Sequence, residues 1–152
     1  NHLNKENMTE IYSAVEERLT AKVPELLYID LESGQLEGRT PPPVDFPCAL
    51  VDVRFNKCED QSAKVQQCEV TVTVRVAFEA WIDETSSVTP KQWKQKALEK
   101  MQLPDKVYCA LQGWGMDFFS ILSRKSVIPE QRADGLKVYR IEFETTQEDY
   151  AE

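Results

Sequence analysis

Few residues in this sequence have chemistry to offer. The only histidine is His2, in a polar N-terminal stretch. Without an imidazole further along, a Ser-His-Asp or Cys-His relay has no base, and the commonest neutral metal ligand is missing. The four cysteines are Cys48, Cys58, Cys68 and Cys109. A structural zinc site wants four ligands in tight pairs, and no two of these thiols are close in sequence. Cys58 and Cys68 flank a polar stretch and could meet across it. With no secretory signal in view, the expectation is free thiols in a reducing compartment, with a Cys58–Cys68 disulfide as the alternative. Cys109 reads as a small buried hydrophobe. The carboxylate pairs Glu59-Asp60, Asp83-Glu84 and Glu148-Asp149 lie in polar breaks, where a shifted pKa has no cleft to produce it. No GxGxxG or GxxxxGK[ST] phosphate loop occurs among the 5 glycines. The expectation is a non-enzymatic protein with no catalytic residue, no cofactor and no metal.

The elements that would position any other site follow from composition and pattern. The chain has 152 residues, 41% of them hydrophobic, which suits one domain with a core. No apolar run reaches the length of a membrane span, so no membrane partner is expected. The formal net charge is −8, from 26 acidic and 18 basic residues. Such a chain is repelled by phosphate backbones unless it segregates a basic face. The densest basic stretch, Lys91, Lys94, Lys96 and Lys100, reads as a solvated helix face, so no specific nucleic-acid binding is expected. Residues 1–8 read as a disordered or tag-derived extension with Met8 as the true start. Residues 9–147 read as one domain and residues 148–152 as a frayed acidic tail.

Ile11, Ala14, Val15 and Leu19 share one face of a helix over Thr9–Lys22, with Thr9 at its start and Pro24 at its end. Leu26–Leu31 reads as a short strand. The connection Glu32–Asp45, with Pro41-Pro42-Pro43, is long enough to be functional or mobile. Pro47–Asn56 is the next strand, with Ala49, Val51, Val53 and Phe55 on one face. Asn56–Gln67 is polar and reads as a long hairpin connection. Cys68–Ile82 alternates strictly, Val70, Val72, Val74, Val76 and Phe78 against Thr71, Thr73, Arg75, Ala77 and Glu79. Asp83–Val88 is a polar break. Thr89-Pro90-Lys91-Gln92 announces a helix capped by Thr89, with Trp93, Ala97, Leu98 and Met101 as its apolar face. Leu103-Pro104 kinks or restarts this helix, and Gly113 stops it. A strand within Phe118–Ile128 and a strand over Leu136–Thr146, joined through Asp134-Gly135, complete the chain. The predicted fold is α+β, a mostly antiparallel sheet with two main helices packed on it, in the order α-β-β-β-α-β-β. Trp81, Trp93 and Trp114 read as anchors of a core or a subunit interface, with a ligand-stacking pocket as the alternative.

In this order the pieces resemble the small tail terminator, or tail completion, proteins of bacteriophages, and more broadly phage neck proteins. The resemblance covers most of Met8–Asp149. It rests on the N-terminal amphipathic helix and the long loop ending in Asp45-Phe46-Pro47, followed by the apolar strand Cys48–Phe55. The polar hairpin and valine-alternating strand come next, then a helix ending Ala110-Leu111-Gln112-Gly113. Phe119-Ser120-Ile121-Leu122-Ser123-Arg124 and the closing Phe143-Glu144-Thr145-Thr146-Gln147-Glu148-Asp149 complete it.

The resemblance implies a ring, typically a hexamer, at the head-proximal end of a tail. Such a ring stops tail-tube polymerisation and presents a head-docking surface. Its partners would be other copies of the chain, the tail-tube protein and the head–tail connector. Its location would be the host cytoplasm during assembly and then the virion. A ring needs a heterologous interface that closes. The two polar loops are where the expectation places it, with Arg39, Asp45, Phe46, Arg54, Asn56, Lys57, Glu59 and Asp60 as contact residues. Arg39, Arg54 and Lys57 would meet acidic patches on a neighbour. An acidic lumen would let DNA pass without sticking. Three alternatives stand beside this: a head–tail joining or head completion protein, a stand-alone binding module built on the three tryptophans, and an enzyme using carboxylates alone.

Overall fold

The computed structural model describes residues 7–80 and 84–151. Helix α1 spans Asn7–Lys22, and strand β1 spans Tyr28–Leu31. Two long strands follow, β2 over Cys48–Ser62 and β3 over Val65–Glu79. Helices α2 (Lys91–Lys100) and α3 (Leu103–Leu111) precede β4 (Ser123–Pro129) and β5 (Leu136–Tyr150). The fold is α+β in the predicted order. The strands form one sheet ordered β1-β2-β3-β5-β4. Three of its pairings are antiparallel, and β1 runs parallel to β2, so the sheet is mixed.

Period-two alternation sorts the sheet into two faces. Ala49, Val51 and Val53 of β2, Val70 to Val76 of β3 at every second residue, and Ile141 and Phe143 of β5 point to one side. There they meet Ile11, Val15 and Leu19 of α1 and Val107, Ala110 and Leu111 of α3. Arg18 ties the two helices by donating from Nε to the Ala110 carbonyl at 2.8 Å. Its guanidinium also stacks over Trp114, which meets Phe119 edge to face. On the opposite side Cys48, Leu50, Ala77 and Val138 form a smaller cluster with Leu36. Tyr28, Val44 and Phe46 pack against that cluster.

Several sequence expectations need correction. The predicted hairpin connection Asn56–Gln67 is sheet: β2 and β3 stay paired out to Ser62 and Val65, leaving only Ala63-Lys64 as the turn. The predicted frayed tail is also strand up to Tyr150, because Gln147–Tyr150 pairs with Val65–Cys68. The Ala151 amide adds a bond to the Lys64 carbonyl at 2.8 Å. The restart expected at Leu103-Pro104 is present: α3 begins at Leu103 with Pro104 in its first turn, where the missing N–H costs nothing. Thr89 does not cap α2. Pro90 holds the cap position with no side-chain cap bond, and the Thr89 hydroxyl lies 3.0 Å from that of Ser86.

On α2 the expected apolar face is mostly solvated, since only Ala97 is buried and Trp93 is 68% exposed. The strand expected within Phe118–Ile128 begins only at Ser123, after a tight bend in which Phe119 and Leu122 are buried. Gly113 stops α3 as predicted, with φ of 74° just past the helix. The extension expected over residues 1–8 lies outside the described residues as far as residue 6, and α1 covers Asn7 and Met8. His2, Trp81, the end of the predicted third strand at Ile82 and Asp83 of the Asp83-Glu84 pair lie outside the described residues.

This division of the aromatics is testable by urea denaturation. Phe143, fully buried between β3 and the helices, loses about 3–5 kcal/mol of stability on Phe143→Ala. Trp93→Ala is expected to stay within about 0.5 kcal/mol of the parent.

Candidate assembly surface

The side of the sheet away from the helices carries a charged cluster centred on Arg75. By alternation Arg75 stands opposite the valine row of its own strand, and its side chain is only 12% exposed. A buried guanidinium needs partners for its donors, and three carboxylates supply them. Nε and Nη2 donate to the two Glu130 oxygens at 2.9 and 2.8 Å, a bidentate fork. Nη1 donates to Glu32 at 3.0 Å, and Nη2 lies 2.9 Å from Glu37. Arg132 extends the cluster, bonding Glu130 at 3.2 Å, Asp134 at 2.7 Å and the Leu36 carbonyl at 2.7 Å.

Glu32, Leu36 and Glu37 belong to the long loop between β1 and β2, whereas Glu130, Arg132 and Asp134 lie between β4 and β5. One arginine on the central strand therefore fastens both connections to the sheet. Gln35 is buried and donates to the Leu31 carbonyl at 2.9 Å, and Leu36 is buried over Leu50. The loop that sequence reasoning left functional or mobile is thus tied down at its first half.

Burial alone would raise the Glu130 pKa. The hydrogen bonds and charge of Arg75 and Arg132 outweigh it and hold the carboxyl below the usual carboxylate range. Asp134 is also held low, chiefly by its hydrogen bond from Arg132. On Arg75 burial acts to lower the pKa, and the three carboxylates reverse this and raise it. Glu37 is 56% exposed, so its share of the stabilisation is small.

The second feature is the far end of the sheet, where β2, β3 and β5 run on beyond the helices as a three-stranded arm. Strand β1 covers the outer edge of β2 only from Cys48 to Val51. From Asp52 to Ser62 that edge has no strand neighbour in the sheet. Two register shifts, between Phe55 and Lys57 and between Asp60 and Ser62, twist it. Bulges and charged residues discourage a further strand from adding to an edge, so this one offers side chains rather than backbone to a partner.

Five of the eight residues expected to form an interface come together here. Arg54 donates from Nε to Asn56 at 2.8 Å, and Asn56 donates to the Thr71 hydroxyl at 2.6 Å. Lys57 lies 3.4 Å from Glu59, and Asp60 accepts from Gln66 at 3.0 Å. The other three do not join them. Arg39 is exposed in the long loop, Asp45 is exposed just before β2, and Phe46 packs against the smaller cluster. Sequence reasoning missed Arg75, Glu130 and Arg132. Arg75 was legible only as one polar residue on the outward side of a strand, and nothing in the spacing joins it to Glu130.

In the same arm Cys58 stands directly opposite Cys68, which in turn opposes Gln147. The thiols are free, Cys58 exposed and Cys68 buried. Burial, the contact with Cys58 and the charge of Asp149 push the Cys68 thiol up to about 12.

Among the described residues no group of three or more histidine, cysteine or acidic side chains could hold a metal ion, and no helix is long and apolar enough to cross a membrane. Trp93 is exposed on α2 while Trp114 packs against Phe119, so these two do not line a common pocket. Comparison with protein-family models found no match, and no curated protein compared with the chain matches it.

Two outcomes follow. Arg75→Ala leaves Glu130 and Glu32 without their main partner and costs roughly 3–5 kcal/mol, read from the urea midpoint at neutral pH. The stabilisation from the depressed Glu130 is complete above the ordinary carboxylate pKa, about 4.3, and is lost as pH falls through the lower folded value. The acid loss of stability is therefore smaller in the variant than in the parent.

Directly opposed residues on antiparallel strands have Cα atoms roughly 4.5–5.5 Å apart, inside the span a disulfide needs. Hydrogen peroxide is expected to oxidise the two thiols to one disulfide, itself reduced to two waters, without moving the backbone. The step is slow at neutral pH and faster at alkaline pH, because the Cys68 thiol stays protonated. Peptide mapping without reductant should find Cys58 joined to Cys68 and no disulfide to the buried Cys48; Cys109, exposed on α3 rather than buried as expected, is open to the peroxide.

Proposed function

We propose that this chain is a non-enzymatic structural protein of a phage or prophage tail. It forms a ring that ends tail-tube polymerisation and provides the surface on which the head docks. Its partners are other copies of itself, the tail-tube protein and the head–tail connector. It works in the host cytoplasm during assembly and afterwards in the virion.

The observation that carries the reading is the arm. Ordering a residue costs about 1–2 kcal/mol of backbone entropy, which burial of apolar surface normally offsets. Beyond Phe55, β2 is exposed at every residue to Ser62 and buries nothing of its own. A strand of this kind, held by its neighbours and lined with Lys57, Glu59 and Asp60, is suited to contact rather than to core formation. The loop tied to Arg75 is suited to the same use, since a surface presented on a fastened loop loses less entropy on binding. The ordered resemblance to tail terminators supplies the identity of the assembly.

The test is tail length by electron microscopy after deletion of the gene from its phage or prophage. Overlong, headless tubes are the expected result. Tails of normal length beside unattached heads would move the protein to a joining role, and normal infectious particles would contradict the proposal.

A further inference from the structure

The sheet has two unlike ends. At one end, where β3 stops at Glu79 and β5 starts at Leu136, Ala97 and Lys100 of α2 and Met101 just after it line a cavity with residues of both strands, Glu79 and Glu84 among its lining. Helix α2 carries four lysines against Glu99 alone, on a chain whose net charge is −8. Trp93, Lys96 and Lys100 recur at i, i+3 and i+7, so they form one stripe, and all three are exposed. An exposed tryptophan is the kind of side chain that anchors a contact surface, and the lysines around it would form the charged rim.

At the other end lies the arm. Glu59 opposes Gln67, which opposes Glu148, and Glu69 opposes Lys57. By alternation Glu59, Glu69 and Glu148 stand on the same side of the arm, and each is exposed.

We infer that the basic stripe of α2 docks on the acidic side of the arm of a second copy of this chain. The inference deepens the ring reading and rests on it for the head-to-tail arrangement. The two patches are complementary in charge, and the acids lie at the level of Gln67 and Glu69, roughly 33–40 Å along β3 from the end beside α2. Within one chain they cannot meet. A heterologous contact needs two different patches on one surface, and repetition of one such contact builds a ring where the rotation closes. The bulged, charged edge of β2 favours this side-chain contact over strand addition.

A zero-length carbodiimide tests it, because it joins an ammonium to a carboxylate only where the two already touch. The experiment uses the full chain at high concentration across a salt series. Expected are linked peptides joining Lys96 or Lys100 to Glu59, Glu69 or Glu148, declining as salt rises. The span of the sheet means that such a link can arise only between copies. K96E/K100E and E59K/E69K/E148K should each lose these links, and one chain carrying all five substitutions should regain them with the charges reversed. These positions are exposed, so each variant is expected to fold.

Links between copies at other positions would overturn the inference and leave the ring reading intact. No links between copies at any concentration or salt would overturn it as well. Failure of the ring reading itself shows separately, as tails of normal length in the deletion.

Discussion

The rest of the structure depends on β3 being paired on both sides while its alternate residues satisfy two unlike environments. Strand β5 accompanies it over every residue from Val65 to Glu79, and β2 does so from Val65 to Ala77. The valine side needs helices to cover it, and α1 and α3 supply the cover. The other side, apart from the small cluster around Leu50, cannot be left apolar without a second layer, and among the described residues no further helix packs there. It instead carries Arg75, whose guanidinium is buried enough to require carboxylates. Those carboxylates come from two connections far apart in sequence, Glu32 and Glu37 from one and Glu130 from the other. One polar residue on the central strand thereby fixes the path of two loops. Removing it exposes the cost of three acids held together more than it removes any single bond.

How much of this was legible in the sequence varies with burial. Val70 to Phe78 alternates because one side is covered, and periodicity reports such strands well. Asn56–Gln67 is strand without that signature, since both sides of the arm are largely polar. Its order comes from backbone pairing of β2 with β3 and of β3 with β5, which no local pattern records. The tail from Gln147 was misjudged for the same reason. Trp93 reads as an anchor of a core or a subunit interface, and its 68% exposure removes it from the core. The Leu103-Pro104 restart and the Gly113 stop were legible because backbone chemistry acts within a turn of the chain. Of the expected contact residues, Arg54 to Asp60 are adjacent on one strand, so their convergence was implicit in the sequence. Arg39, Asp45 and Phe46 depended on the path of the long loop, which Arg75 and the small cluster around Leu50 decide.

A platform with an extended arm suits a molecule that works by presenting surface, the role proposed above. The arm adds exposed, charged surface at one end, and α2 adds surface of opposite charge at the other. The arm is part of the sheet, and α2 leads directly into α3, which packs in the core beneath it. In an assembly reading, these two surfaces are what one copy offers the next.

The central claim is that the sheet remains one ordered unit out to the tip of the arm. Amide hydrogen exchange followed by mass spectrometry tests it most directly. The account predicts protection of the β3 amides from Val65 through Val70 and of Gln147 to Tyr150 in β5, approaching that of Val72 to Val76. Rapid exchange throughout residues 56–70 and 147–150, with protection confined to the part of the sheet beneath the helices, would contradict it. That result would return the segment to a flexible hairpin.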